Sequence, residues 1–387
     1  MEDKTETKKI IGEVISEIIG DLRNGSVKKV DIGLMVYGSE LGSEELLKGA
    51  VLAMQNDPTI NVVAIGPKTV GFEGIQWIET PACEADISKA MEKALKDGII
   101  AGAVALHYPF PLGVTTIGKV LTPARAKPCF IASSTGASSS NRVEAMVRNA
   151  IYGIAAAKAD GIVSPTVGIL NLDGAQTVQR ALQKLCENGY PINFGSSMRK
   201  DGGALLRGND LLAGSVDVCV TDTLTGNVLI KLFAAWNTGG NYEALGWGYG
   251  PSAGESWNKI VSIISRASGA PVVAGAISLN ARCVRKELPS AVKAELESAR
   301  KAGLDEILES LQPRQTSSDD DVIAPPTEPT DEEIHGIDVL EIEDAVRSLW
   351  RAGIYAESSM GCTGPVIKTA AARVEKAKGV LKENGYV

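Results

Sequence analysis

Residues 216–236 read V-D-V-C-V-T-D-T-L-T-G-N-V-L-I-K-L-F-A-A-W, and this stretch predicts how the chain folds. Up to Asp222, β-branched and apolar residues alternate, which is typical of a buried strand. A tight turn at Thr225-Gly226-Asn227 follows, and the apolar run over 228–236 is long enough to begin a helix. A strand that turns directly into a helix aims backbone N–H groups at one point, where the helix dipole adds about half a positive charge. The stretch therefore predicts an anion site, with phosphate as the expected ligand.

Two charged residues accompany this predicted site. Asp222 ends the strand, and Lys231 lies in the helical run, so both bring charge to the same neighbourhood. In the alternative interpretation, Gly226 only closes a connection between a strand and a helix, and no ligand binds there.

The composition is that of an α/β protein with a sizeable core. Of the 387 residues, 44% are hydrophobic but only 5% are aromatic, and 41 glycines suit many tight turns. This length predicts one large or two medium domains. The net charge of −8, with acidic and basic residues interspersed, does not favour nucleic-acid binding. Because no apolar run reaches the roughly 18 residues of a membrane span and no hydrophobic signal region follows Met1, we expect a cytoplasmic protein without a membrane partner.

Predicted strands and helices alternate along the chain. Strands are predicted over 30–36, 61–65 and 100–106, with helical apolar stripes between them, and a last strand is predicted over 272–277. Another helical stripe covers 10–22. Such alternation predicts a mainly parallel sheet with helices on both faces, and in these sheets ligands bind at the carboxyl ends of the strands.

Polar loops supply further candidates for phosphate binding. The run over 133–140 holds many hydroxyls beside a glycine, including Ser134 and Gly136, although it is also compatible with a simple loop that caps a helix at Ser140 or Asn141. The glycine-rich loop that follows Phe194 contains Arg199, Lys200 and Arg207. The fork of an arginine matches phosphate oxygens, but the sequence does not choose between these cations and solvated loop charges.

Two other segments have open interpretations. His107 follows a predicted strand and is either an acid or base at the crevice or a surface histidine. Residues 246–257 alternate glycines with aromatics, which indicates close backbone approach to a ligand, or else a lid or partner loop.

The C-terminal part of the chain differs in character. We divide the chain into a body (1–311), an acidic, Pro-rich linker (312–333) and a small helical tail (334–387), with tail helices over 339–352 and 365–381. Pro365 suits a first helical position, so Cys362 would lie at a helix N-terminus, where the thiolate is favoured. An accessible thiolate suits a covalent acyl carrier, whereas the alternative is a loop cysteine without a role.

The remaining cysteines are not predicted to hold a metal. Cys129, Cys186 and Cys219 fall in apparent strands or helices and are interpreted as small buried hydrophobic residues. The chain has no Cys-x-x-Cys pair, and its two histidines are far from any cysteine in sequence, so a structural zinc is not expected.

Several of these segments resemble known families. The run over 222–228, followed by Lys231, resembles the Asp-Gly-Phe-Thr-Gly-Asn-Val segment of the phosphate acyltransferases of phospholipid synthesis. Residues 167–172 and 192–194, which include Asn193, are similar to two further segments of that family, and the likeness extends over roughly residues 30 to 285. Residues 360–365, M-G-C-T-G-P, and the chain length are similar to the alpha subunits of protein C in glycine/sarcosine/betaine reductase complexes.

These resemblances imply a reaction. Phosphate acyltransferases make acyl phosphates from an acyl thioester and inorganic phosphate, and protein C releases acetyl phosphate from an acetyl thioester whose two carbons come from selenoprotein A. By this resemblance, Cys362 carries the acetyl group, and Thr225, Gly226 and Asn227 hold phosphate or the developing oxyanion. Lys231 would balance charge, and Asp222 would orient phosphate or accept its proton. Asn193, Ser134, Gly136, Arg199 and Arg207 are further candidates for binding.

The resemblance also implies partners and leaves alternatives. We expect no metal or cofactor, inorganic phosphate as a substrate, a condensing-enzyme-like beta subunit and selenoprotein A as partners, and a homo- or hetero-oligomer. The Gly-Asn-Thr-Gly segment of the phosphate acyltransferases is missing near 106–111, which suggests a different acyl group or donor. A flexible tail would carry Cys362 between two sites. The alternatives are a freestanding phosphate acyltransferase or phosphotransacetylase with a dispensable tail, and a non-catalytic scaffold subunit.

Overall fold

The computed structural model describes residues 29–199, 202–311, 322–338, 341–361 and 364–387. The predicted helix over 10–22, Lys200 and Cys362 lie outside these residues. The body, here residues 29–311, contains in order β1 (Val30–Met35), α1 (Ser43–Asn56), β2 (Ile60–Gly66), β3 (Gln76–Glu79), α2 (Glu84–Lys96), β4 (Gly102–Ala105), β5 (Val114–Leu121), β6 (Pro128–Ala137), α3 (Arg142–Ala159), β7 (Thr166–Leu170), α4 (Ala175–Glu187), β8 (Asn193–Phe194), β9 (Leu205–Leu206), α5 (Gly208–Ala213), β10 (Val218–Val220), α6 (Thr223–Ala234), β11 (Gly250–Gly254), β12 (Val261–Ile263), α7 (Ala270–Arg285), α8 (Leu288–Lys301) and α9 (Leu304–Ser310). The C-terminal module, here residues 332–387, contains β13 (Glu332–Ile334), α10 (Ile342–Arg351), β14 (Ala356–Gly361), β15 (Gly364–Thr369) and α11 (Val374–Glu383).

One mixed sheet of 12 strands runs through the body. Its order is β3-β2-β1-β4-β12-β11-β5-β6-β10-β7-β8, and β9 also pairs with β7. Several central strands are short apolar runs, such as V-C-V in β10, whose residues are buried because helices cover both faces of the sheet. The predicted α/β class with a mainly parallel sheet is confirmed.

The two halves of the sheet run in opposite directions. β3, β2, β1, β4 and β12 are mutually parallel, and so are β6, β10, β7 and β8. Between them, β11 and β5 make three successive antiparallel pairings, which reverse the direction from one half to the other. As a result, the carboxyl ends of the two groups of parallel strands lie at opposite edges of the sheet.

The glycine-rich segment over 246–257 supplies the strand that joins the halves. Gly250 has φ +80°, and a Cβ there would lie 1.7 Å from the Ile117 carbonyl oxygen of β5. Only a glycine permits this approach between strands. The interpretations of this segment as a lid or as a ligand-approaching loop are therefore wrong for its β11 part, which is buried at the centre of the sheet.

One predicted strand is a helix. Residues 272–277 lie inside α7, which begins after Gly269 with Pro271 in its first turn. A short apolar run fits a buried helix as well as a buried strand, so hydrophobicity alone led to the wrong choice. The true strand, β12, covers only three residues just before it.

The C-terminal module has its own sheet and core. β13, β15 and β14 form a three-stranded antiparallel sheet, and Ile337, Leu349, Ile354, Ile367 and Leu381 belong to a hydrophobic cluster separate from those of the body. Two helices are present as predicted, but the sheet was missed. The helix predicted from Pro365 is wrong in its first part, because β15 pairs with β14 through residue 369 and α11 begins only at Val374.

Two findings bear on the predicted linker and on membranes. Residues 312–321 of the predicted linker lie outside the described part of the chain, and Glu332 and Glu333 at its end belong to β13. Among the helices that the structure describes, none is both long enough and apolar enough to cross a bilayer.

Candidate functional site

Three helices begin at one edge of the sheet. β6, β10 and β7 are adjacent and parallel, and each is followed at its carboxyl end by a helix, α3, α6 and α4 respectively. The first N–H groups of a helix have no partner within the helix, and its N-terminal end carries a partial positive charge. We call this the β6-β10-β7 edge, and it is the candidate anion site that the strand-to-helix pattern predicts.

Asp222 caps α6. Its carboxylate accepts hydrogen bonds from the Thr225 backbone N–H at 3.0 Å and from the Thr225 hydroxyl at 2.7 Å. Because this cap starts the helix at Thr223, Thr225, Gly226 and Asn227 lie within its first turns. The prediction of a separate turn that precedes a helix from 228 is therefore wrong, although the direct passage from strand to helix is confirmed.

The first turns of α6 pack directly on β6. A Cβ at Gly226 would lie 1.8 Å from the Ser133 carbonyl oxygen, so a glycine is required for this approach. The side-chain amide of Asn227 donates to the Ser134 carbonyl oxygen at 3.0 Å, and the hydroxyls of Ser133 and Thr223 are 2.7 Å apart. Gly226 and Asn227 thus position the N-terminus of α6, since their own polar groups bond within the protein.

Arg142 is the cation that contacts Asp222 at this edge, and sequence reasoning missed it. It is the first residue of α3, with one terminal nitrogen 3.2 Å from the Asp222 carboxylate and the other 3.9 Å from Asp173, which follows β7. The predicted cap Asn141 is confirmed, because its side chain accepts from the Glu144 N–H at 3.0 Å. A capped helix start after a strand was the available signal, since it places Arg142 at the strand end.

The surroundings of Asp222 favour the ionised form of its carboxyl group. Partial burial alone would raise the pKa of its carboxyl group, but hydrogen bonds from the backbone and hydroxyl of Thr225 and the charge of Arg142 together hold that pKa below its usual value. A carboxylate that is so well satisfied is a poor proton acceptor at neutral pH. The geometry therefore suits Asp222 to orienting Arg142 and α6, and not to the alternative role of a base.

Ser134 and Gly136 are both residues of β6, and only Ser134 is fully buried. The Ser134 hydroxyl is fully buried, 2.7 Å from the Thr116 hydroxyl and 2.6 Å from the Tyr249 carbonyl oxygen. Direct contact between this hydroxyl and phosphate is inconsistent with such burial. Gly136 has φ +77°, and a Cβ there would lie 2.4 Å from the Val114 carbonyl oxygen, so its role is close pairing of β6 with β5.

Lys231 and Asn193 lie away from the β6-β10-β7 edge. Lys231 is in the last turn of α6, nine residues after Asp222, which is about 13 Å along a helix axis. Its ammonium group lies 5.2 Å from the centre of the Tyr249 ring. Asn193 pairs with Thr166, the first residue of β7, and therefore lies at the amino edge. The expectation that these residues join Asp222 in one site is wrong.

The arginine candidates border a loop that is organised by a carboxylate. Asp210 accepts from the Met198 N–H at 2.7 Å, the Ser197 hydroxyl at 2.9 Å and the Arg207 N–H at 2.8 Å. Arg207 directly follows β9, whose Leu206 pairs with Leu170 at the end of β7, so it lies at the carboxyl edge. Arg199 is exposed on the loop. Which of the two binds phosphate stays a prediction.

His107 is not part of this edge. It is exposed after β4, and the carboxyl end of β4 is at the sheet edge opposite to that of β10. Of the two interpretations, the structure favours a surface histidine. No group of three or more His, Cys, Asp or Glu residues suitable for a metal ion occurs among the described residues.

The described cysteines differ sharply in accessibility. Cys129, Cys219 and Cys283 are buried, and burial raises the pKa of each thiol, to about 12 for Cys129 and Cys283. The buried interpretation is confirmed for Cys129 and Cys219, whereas Cys186 is only half-buried. Cys83 is exposed in front of α2, which sequence reasoning did not consider.

Cys362 and Thr363 lie outside the described residues, but Gly361 and Gly364 on either side of them are described. Gly361, the last residue of β14, pairs with Gly364, the first residue of β15, and the two strands are antiparallel. Pro365 belongs to β15 and does not begin a helix. A helix dipole therefore gives no reason to expect a lowered pKa for the Cys362 thiol. In the sequence, Gly361 and Gly364 leave little side-chain bulk beside Cys362, and the accessibility of its thiol stays a prediction on that ground.

Comparisons with known proteins bear on the whole chain. The model of the family described as "Fatty acid synthesis protein" matches residues 30–368. The chain belongs to this family. Within the fatty acid synthesis protein family, the chain is similar to the "Glycine/sarcosine/betaine reductase complex component C subunit alpha" of Peptoclostridium acidaminophilum, with 48% identity over 386 residues, 99% of this chain and 100% of the relative. The resemblance to component C alpha subunits is thereby confirmed.

The body has further relatives. A phosphate acyltransferase of Thermotoga petrophila is 30% identical over 235 residues, 52% of this chain and 67% of the relative, which confirms the second resemblance. A branched-chain phosphotransacylase from Enterococcus faecalis V583 is 14% identical, covers 66% of this chain and 99% of its own, and has a TM-score of 0.46. The assignment of the fold rests on the sheet topology itself.

Proposed function

We propose that this chain is a subunit of a glycine/sarcosine/betaine reductase complex that carries an acetyl thioester on Cys362 and transfers the acetyl group to inorganic phosphate. The observation that carries the proposal is the 48% identity with a component C alpha subunit over 99% of the chain. That likeness includes the C-terminal module, whereas the phosphate acyltransferase relative matches only 52% of the chain.

The proposed reaction is an acyl transfer without a change of oxidation state. A phosphate oxygen attacks the carbonyl carbon of the thioester, the C–S bond breaks, and the Cys362 sulfur leaves as a thiolate. The products are acetyl phosphate and the free thiol side chain. Such a transfer needs a bound phosphate and donors for the oxyanion, and we propose that it uses no metal or redox cofactor.

The β6-β10-β7 edge is the proposed phosphate site. The N-termini of α3, α4 and α6 supply N–H groups, and Arg142 supplies a guanidinium. The 3.9 Å pair of Arg142 and Asp173 is weak because their side chains are 44% and 63% exposed. A phosphate dianion can therefore replace Asp173 as a partner of Arg142, while Asp222 at 3.2 Å keeps the guanidinium in place.

The formation of the acetyl thioester on Cys362 is the part of the proposed reaction that involves partner proteins. We propose that selenoprotein A provides the two-carbon unit and that a condensing-enzyme-like beta subunit shares the donor chemistry. We also propose that the complex is cytoplasmic.

Among the described residues, the exposed thiol is Cys83 and the half-buried thiol is Cys186, so these two cysteines are the alternatives to Cys362 as acyl carrier.

Reverse loading tests the proposal. The purified chain is incubated with isotopically labelled acetyl phosphate, digested and mapped by mass spectrometry, with hydroxylamine used to cleave thioesters. We expect label on Cys362, none in Cys362→Ser, and unchanged loading in Cys83→Ser. Label on Cys83 or Cys186 would keep acyl transfer but reject Cys362.

Two further arms separate the alternatives. A chain truncated after residue 311 that still makes acetyl phosphate from a soluble thioester would favour a freestanding phosphate acyltransferase. Absence of any thioester, both alone and with the beta subunit, would favour a scaffold subunit. The proposal requires that Cys362→Ser abolish phosphate-dependent acetyl release in the complete complex.

A further inference from the structure

One arginine of the body contacts both ends of the C-terminal module. Arg180, in the second turn of α4, donates to the Gly336 carbonyl oxygen at 3.1 Å, to the Tyr386 carbonyl oxygen at 2.9 Å and to the Glu341 carboxylate at 2.7 Å. These partners are 156 to 206 residues away in the sequence. Gly336 and Glu341 precede α10, and Tyr386 follows α11, so the two ends of the module converge on one guanidinium.

A neighbouring threonine adds to this contact. The Thr177 hydroxyl, one turn earlier on α4, lies 3.3 Å from the carboxylate of Asp338 and 3.4 Å from that of Glu341, and it accepts from Arg180 at 3.1 Å. The Arg180 and Glu341 side chains are only 27% and 34% exposed, so their ion pair is partly shielded from solvent. The planar fork of arginine suits several acceptors at fixed positions, which a lysine ammonium does not match.

The contact lies beside the candidate phosphate site. α4 starts at Ala175, two residues after Asp173, and Asp173 pairs with Arg142 at the β6-β10-β7 edge. Thr177 and Arg180 fall within the first six residues of α4, so they are within about 9 Å of its start along the helix axis. The module is therefore docked next to this edge.

We infer that Arg180 is the docking residue that holds the C-terminal module on the N-terminal turns of α4. The module is anchored in this position, and its release requires that its three acceptors, on Gly336, Glu341 and Tyr386, lose Arg180 as their donor. This arrangement replaces the freely swinging tail that the sequence suggests with a docked module that opens by breaking one cluster of hydrogen bonds. The inference concerns docking alone and does not depend on the acyl chemistry of Cys362.

Hydrogen–deuterium exchange of the full chain, read by mass spectrometry, tests the docking. In Arg180→Ala, we expect peptides that cover 332–341 and 381–387 to exchange at least about tenfold faster, because several charge-assisted hydrogen bonds are lost. Arg180→Lys should give an intermediate increase, because it keeps the charge but loses the fork. Arg285→Ala is the matched control, since this arginine is similarly shielded but pairs with Asp57, away from the module.

The outcomes are decisive in either direction. Wild-type exchange of the module in Arg180→Ala, or an equal increase in Arg285→Ala, would overturn the inference. If Arg180→Ala does not fold, Glu341→Gln replaces it, and it should speed exchange in the same peptides without affecting the body. Since no acyl substrate is involved, failure of the docking and failure of the proposed function are distinguishable.

Discussion

Gly226 of α6 and Ser133 of β6 approach so closely that a Cβ on Gly226 would lie 1.8 Å from the Ser133 carbonyl oxygen. This contact seats the N-terminus of α6 against the middle of β6, the strand that precedes α3. It explains the glycine in the Thr-Gly-Asn sequence through packing, whether or not a ligand binds beside it.

The first prediction concerns this contact. Gly226→Ala should lower the free energy of unfolding by about 1–3 kcal/mol or more, because the helix must move away from backbone atoms. The measurement is urea denaturation followed by circular dichroism. Gly379→Ala in α11 is the matched control, since a Cβ there meets no atom within 4 Å, and it should stabilise by up to about 1 kcal/mol. Equal effects of the two substitutions would contradict the packing argument.

The second prediction separates Arg142 from Lys231. Arg142→Ala should raise the KM for phosphate by about 10- to 100-fold, because a charge-assisted hydrogen bond is lost, and Arg142→Lys should raise it less. Lys231→Ala should leave this KM unchanged, because Lys231 lies about 13 Å along α6 from Asp222. Steady-state kinetics of acetyl phosphate formation in the complete complex provide the measurement. A larger effect at Lys231 than at Arg142 would move the phosphate site away from this edge.

The third prediction concerns pH. The folded-state pKa of Asp222 is lowered, so its stabilisation is present above the unfolded-state value of about 3.9 and is lost as pH falls through the folded pKa. Asp222→Asn should therefore lower the free energy of unfolding at pH 7 by about 1 kcal/mol, since asparagine still caps the helix but does not pair with Arg142. The free energy of unfolding of this variant should also fall less as the pH drops below 4, because the side chain no longer has a carboxylate to protonate. Unfolding free energies measured from pH 3 to 7 test this. Asp173→Asn is the control at pH 7, where it should change the free energy of unfolding by less than about 0.5 kcal/mol because its side chain is 63% exposed.

The fourth prediction concerns thiol reactivity. In the native protein, iodoacetamide at pH 8 should modify Cys83, whereas Cys129, Cys219 and Cys283 should react only after unfolding, because burial both shields their thiols and raises their pKa. Peptide mapping at increasing urea concentration provides the measurement. Rapid native labelling of any of these three buried thiols would contradict the described core. Under the proposed function, Cys362 also reacts in the native protein.

The sequence by itself determined the local features of this chain. Alternation of apolar strands and amphipathic helices predicts the α/β sheet, and Asn141 is correctly identified as a helix cap because its side chain needs only a backbone N–H three residues ahead. Cys129 and Cys219 were correctly placed in the interior because they lie in apolar strands. The motif around Asp222 was sufficient to find the strand end where α6 begins.

Only the tertiary structure decided which of these features meet. Lys231 and Asp222 are close in sequence but about 13 Å apart along the helix, because the cap at Asp222 begins α6 earlier than the apolar run indicates. His107 lies at the opposite edge because three antiparallel pairings at the centre of the sheet reverse the strand direction. Asn193 lies away from Asp222 because it begins β8, beside the first residue of β7. Arg142 reaches Asp222 and Asp173 only because β6, β10 and β7 are neighbours, and Arg180 meets residues up to 206 positions away. Strand pairing and docking between distant parts of the chain bring such residues together. Local patterns of polar and apolar residues do not reveal these long-range contacts.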